Sequence, residues 1–204
     1  MIVYGESNFV LELTLEQEEQ AYAENILSAA EQGHITLVVP SFSIHEPVST
    51  VVHRSRTRRQ INNQINEQAK QLERSATHTE LATDIRTLAK RLVRLEGHEQ
   101  LRLQTTINRV LRTATVVPMT SAVFAVAVKY ASDFGLSLPD AIVLASTLNH
   151  AAICPQAEPK IFANRNPRDF DVPDVVSLLG THGCELAVTF EDAWNRIFPH
   201  CPGF

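Results

Sequence analysis

The chain has 204 residues, 44% of them hydrophobic, a mean hydropathy of −0.07 and a formal charge of −5. That is enough for one domain with its own core, and no apolar run approaches the roughly 18 residues of a membrane span, so no membrane partner is expected. Cys154, Cys184 and Cys201 are scattered, with no C-x-x-C, which excludes a disulfide framework or a zinc site; the N-terminus also lacks a signal peptide's basic flank and cleavage site, so a cytoplasmic setting is expected.

In chain order, Ile2–Tyr4 predicts a short buried strand, delivering Gly5, Glu6, Ser7 and Asn8 at its end. A helix is expected over 15–32, with Ala21, Ile26, Leu27 and Ala30 as its apolar stripe and Gly33 as its stop. "ITLVV" (35–39) reads as a second strand, ended by Pro40, and Ser41 as the N-cap of a helix through Val52. From Arg54 to Arg112 the pattern is helical, with one Gly and no Pro. It predicts a hairpin broken near 73–80, capped by Thr77 or Thr79, with a second possible break at Gly97. Strands are expected at 113–119, 160–164 and 184–188. Helices are expected over 120–134, from Pro139 onward, and after Thr189. Strands alternating with helices predict a parallel α/β sheet, with 54–112 inserted into a single domain.

The charge is unevenly spread. Between His53 and Thr113 stand 13 of the 18 Lys and Arg against 6 acids, so a block of +7 is attached to a body of −12. Such a pairing suits holding a polyanion beside carboxylates. Arg54, Arg56, Arg58 and Arg59 form "RSRTRR". Arg86, Lys90, Arg91 and Arg94 fall on one helical face that can track a phosphate backbone; a solvated helix face is the alternative. No aromatic residue lies in 54–112, so base stacking is not supplied there. The aliphatics of this block, among them Ile61, Ile65, Leu81, Leu88 and Leu95, exceed what a lone hairpin needs, so a homodimer through the hairpin is expected.

Ligands of open α/β sheets sit outside the carboxyl ends of the strands. Glu6 and Asn8 follow the first strand, Glu46 sits early in the helix after the second, and Asp140 opens a later helix. Asn164, Asn166 and Asp169 follow the fourth strand in "FANRNPRDF". Gathered carboxylates repel one another unless a cation intervenes, and the matching cation is hard and divalent, Mg²⁺ or Mn²⁺. Each motif also has a purely structural reading: Ser43-x-x-Glu46 as a capping box, Asp140 as a helix-dipole acid, Asp169 as a turn residue.

The order strand-acid-Ser-Asn, "PSFSIHE", "LSLPDAIVLA", "FANRNPRDF" resembles the PIN-domain ribonucleases, including VapC-type toxins. The resemblance covers roughly 1–52 and 113–190. It implies a three-layer fold around a parallel sheet of about five strands. It also implies metal-dependent endonucleolytic cleavage of RNA. By it, Glu6, Glu46 and Asp140 are metal ligands, and Asn166 and Asp169 complete the catalytic set. Ser7, Asn8, Asn164 and Arg165, with Arg54, Arg58 and Arg91 of the basic block, are expected to orient the site or bind substrate. Two positions depart from the family pattern: Glu6 stands where Asp is usual, and Asn166 is an amide. Two other readings therefore stand beside the nuclease: a catalytically weak RNA- or protein-binding module, and a toxin with an antitoxin partner.

Overall fold

The computed structural model describes residues 1–201. In chain order it has β1 (Ile2–Gly5), α1 (Ser7–Leu15), α2 (Gln20–Glu31), β2 (Thr36–Pro40), α3 (Ser41–Leu72), α4 (Thr79–Thr113), β3 (Thr115–Val117), α5 (Ser121–Phe134), α6 (Leu138–Ala151), β4 (Lys160–Ala163), α7 (Pro167–Phe170), α8 (Pro173–Thr181), β5 (Cys184–Ala187) and α9 (Phe190–Ile197). All strands are parallel, in the order β3-β2-β1-β4-β5. The expected α/β class and five-strand sheet are therefore present.

The strands read as continuous apolar runs because both faces of the sheet are covered. Val3 is in register with Leu37 and Ile161, and these face the core built with α1, α2, α9 and the bases of α3 and α4. One residue on, Tyr4 is in register with Val38 and Phe162, and these face α5, α6, α7 and α8. The result is three layers, helix on sheet on helix.

Several boundaries differ from expectation, each for a local reason. The helix expected over 15–32 begins only at Gln20, as α2, and a separate helix, α1, precedes it. Glu6 caps α1, so the helix starts at Ser7; the chain then turns at Glu16, in the left-handed region at φ 50, and restarts at Gln20. The buried stripe of α2 is Ala23, Ile26, Leu27 and Ala29, while Ala21 is exposed. Ser41 does not cap α3: Pro40 holds that position, and Ser41 Oγ accepts from the Met119 N–H at 3.2 Å instead. Nor does α3 stop at Val52, because nothing between Val48 and Leu72 breaks a helix. Neither Thr77 nor Thr79 caps α4; His78 precedes it without a side-chain bond. Gly97 lies inside α4 and does not interrupt it. α7 and α8 were not expected; each opens on a Pro in its first turn.

α3 and α4 pack antiparallel, and their bases are part of the core, through Val51, Leu103 and Val110. Away from the core their seam is small or polar. It holds Ser55, Ala69, Ala82 and Ala89, with Glu96 and Glu99 buried among them. Buried acids need partners. Arg58 grips Glu99 with two bonds, at 2.5 and 2.8 Å, and Arg59 grips Glu96, its Nε at 3.1 Å.

Candidate active site at the strand ends

With the strands parallel, their carboxyl ends lie on one edge of the sheet. The strand order reverses at β1, whose neighbours are β2 and β4. This switch point is where an open α/β sheet leaves a crevice. Glu6 leaves β1 there, Asn164 leaves β4, and Glu46 rides on the second turn of α3 after β2.

Glu6 is buried, and its carboxylate is the N-cap of α1. One oxygen accepts from the Asn8 N–H at 2.7 Å; the other accepts from the Arg165 N–H at 3.4 Å, so Glu6 ties the exits of β1 and β4 together. Burial pushes its carboxyl up to about 8, against the pull of those two N–H groups, and the Glu46 charge adds to the rise. Ser7 Oγ donates to Glu46 Oε2 at 2.5 Å, which joins α1 to α3. Asp140 is the acid of a reciprocal cap at the start of α6. Its N–H donates to Ser137 Oγ at 3.3 Å, and that hydroxyl donates back to its carboxylate. Burial raises the Asp140 carboxyl, the Asp169 and Glu46 charges raise it further, and the Ser137 and Asn166 side chains oppose this. Asn166 Nδ2 donates to Asp169. Asn164 is buried; its Oδ1 accepts from the Asn166 N–H, and its Nδ2 has no partner.

Glu46 is thus the middle member of the group: it acts on Glu6 from one side and on Asp140 from the other, and Asp169 acts on Asp140. As donors the group is all oxygen and mostly anionic, the chemistry of a Mg²⁺ or Mn²⁺ site. A cation there would offset the repulsion and the burial cost that raise Glu6 and Asp140. As placed, however, each acid turns to a donor of its own: Glu6 to backbone, Glu46 to Ser7, Asp140 to Ser137, Asp169 to Asn166. Among the described residues, no three His, Cys, Asp or Glu are arranged to hold an ion. Side-chain rotation is needed to bring the oxygens to one point.

Three sequence readings are corrected. Ser43 and Glu46 form no capping box: Ser43 Oγ is buried without a partner, and Glu46 takes its bond from Ser7. Arg58 does not face solvent for a phosphate, because buried Glu99 claims it. Arg165 sends its backbone N–H to the site but its guanidinium away, to Glu12, Glu18 and Glu19. Of the second basic set, Arg86 is paired with Glu73 and Arg91 stays exposed, as does Arg54 of the first set. Sequence reasoning missed Ser137 and the Glu12–Arg165 anchor. Ser137-x-x-Asp140 is itself a capping-box spacing and was a usable signal. The acids of "LELTLEQEE" gave no hint of which arginine they would share.

A family model for the PIN domain matches residues 3–170. No curated protein and no solved structure matches the chain.

Proposed function

We propose that this chain, which belongs to the PIN-domain family, is a metal-dependent endoribonuclease. PIN domains are generally nucleases. What supports the finer reading here is that Glu6 and Asp140, at the strand ends, both feel the Glu46 charge and Asp140 also that of Asp169, while burial raises both. Glu6, Glu46 and Asp140 would hold Mg²⁺ or Mn²⁺, with Asp169 and Asn166 beside them. When bound, the ion supplies a water of lowered pKa and neutralises charge on the phosphodiester.

The chain's own residues do the rest. Ser7 holds Glu46 in place, Ser137 holds Asp140, and Asn8 and the Arg165 backbone hold Glu6. The unpartnered Nδ2 of Asn164 is a buried donor at the same strand exit, suited to an anionic oxygen. Among the basic residues of the hairpin, Arg54, Arg56, Lys90 and Arg94 are exposed and can meet phosphates away from the cut.

RNA incubated with the purified chain and Mn²⁺ should be cleaved, and chelation should stop it. Asp140→Asn should slow cleavage by about 100-fold or more with an unchanged circular dichroism spectrum. Equal rates for the two proteins would refute the assignment. A second reading, a binding module without turnover, is favoured by Glu6 being engaged as a helix cap and by the amide at Asn166. RNA retention without cleavage under saturating Mn²⁺ selects it. A toxin role uses the nuclease chemistry and adds an antitoxin; growth arrest on expression that Asp140→Asn relieves is its signature.

A further inference from the structure

We propose that the distal half of the helical hairpin is a self-association surface, on which a second copy of this chain packs antiparallel about a two-fold axis near Leu88. The hairpin seam itself is crossed by ion pairs, Arg58 with Glu99, Arg59 with Glu96 and Arg86 with Glu73. Beside the seam, α4 carries Leu81, Leu88, Leu95, Arg102 and Arg109, seven residues apart and therefore on one stripe. At the base this stripe lies on the core: Arg102 donates to the Thr14 carbonyl at 3.0 Å and pairs with Glu16, and Arg109 pairs with Glu24 and Glu31. Past Arg102 the same stripe runs on uncovered. Leu95, Leu88 and Leu81 are 45%, 54% and 51% exposed, and Ile61 of α3 is 41% exposed.

Two features select a second copy as the occupant. The stripe is its own complement: a two-fold at Leu88 sets Leu88 on the second copy's Leu88 and Leu81 on the second copy's Leu95. The charges beside it obey the same symmetry. Asp84 and Arg91 flank Leu88, both are exposed, and neither is ion-paired among the described residues. The two-fold brings Asp84 beside the second copy's Arg91, and the reverse. Fifteen residues of α4 span about 22 Å along the stripe, which suits a small, weak interface that fills at tens of micromolar. The arrangement does not depend on the nuclease reading.

Light scattering on the full chain at tens of micromolar should give about twice the 22.7 kDa of one chain. Leu88→Glu should return a single-chain mass with an unchanged circular dichroism spectrum. Asp84→Arg should raise the dissociation constant about tenfold, and adding Arg91→Asp to the same chain should restore it. A single-chain mass for the unaltered protein overturns the proposal, including the case in which the face then takes up a different protein. A pair indifferent to Leu88→Glu also overturns it, and failure of the charge swap to rescue overturns the antiparallel two-fold.

Discussion

Around the sheet the buried side chains are mostly aliphatic or aromatic, Val3, Tyr4, Phe9, Phe162 and Phe190 among them, whereas the seam of the hairpin buries alanines and two glutamates. The sheet region is held by apolar area removed from water, which is non-directional and tolerant of small shifts. The hairpin is held by close helix approach at Ala69, Ala82 and Ala89, and by arginines that must reach Glu96 and Glu99. Charged pairs of this kind contribute little net stability, yet losing one partner is costly, so they fix register. The same contrast separates the two sets of acids. The two acids buried in the hairpin seam are matched with arginines, while Glu6 and Asp140 at the strand ends are raised by burial and by the charge of Glu46, with Asp169 also acting on Asp140. Acids left in that condition are the ones available for chemistry.

The contrast can be broken first in the sheet region. Phe162 is fully buried and meets Phe170 edge to face at 5.2 Å. Phe162→Ala should cost about 3–5 kcal/mol in denaturant unfolding, with the whole chain affected. The acids give the next effect. Folding keeps a proton on Glu6 up to about 8, where the unfolded chain releases it near 4.5. Its contribution to stability is therefore full below the unfolded value and is lost as pH rises through about 8. Metal-free thermal unfolding should thus occur at lower temperature as pH rises from about 7 to about 9, and Glu6→Gln should flatten that slope.

In the hairpin, Arg58→Ala strips Glu99 of its partner in a seam that is mostly dry. It should cost about 1–3 kcal/mol, discounted for the partial exposure of Arg58. Hydrogen exchange should locate the loss in α3 and α4 and spare β1 and β4. The smallest change sharpens the contrast from the other side. Gly97 lies in α4, and a methyl group there would meet nothing within 4 Å. Gly97→Ala should stabilise the chain by about 0.5–1 kcal/mol through backbone entropy alone.

The sheet was legible because its strands carry a signal on every residue. "ITLVV" and "KIFAN" carry continuous apolar runs, Leu37–Val39 and Ile161–Ala163, the pattern of a parallel sheet covered on both faces. The site was legible in outline for a topological reason: acids that follow strands must collect at one edge. What the sequence did not reveal was the direction of each side chain. Whether Glu46 would turn to Ser43 or Ser7 depends on α1 starting at Ser7, which depends on Glu6 being its cap. Whether Arg58 was free depended on a glutamate 41 residues away. The separate α1 escaped because its start is set by Glu6 acting as its cap, and the apolar run Phe9–Leu11 shows no helical period of its own.

The claim most in need of direct test is that the strand-end acids share an ion. Crystals soaked in Mn²⁺ and measured for anomalous scattering should show one peak within about 2.0–2.4 Å of oxygens from Asp140 and at least one of Glu6 and Glu46, with those side chains turned from their present hydrogen bonds. No peak at the strand ends, or one only elsewhere on the chain, would contradict the account.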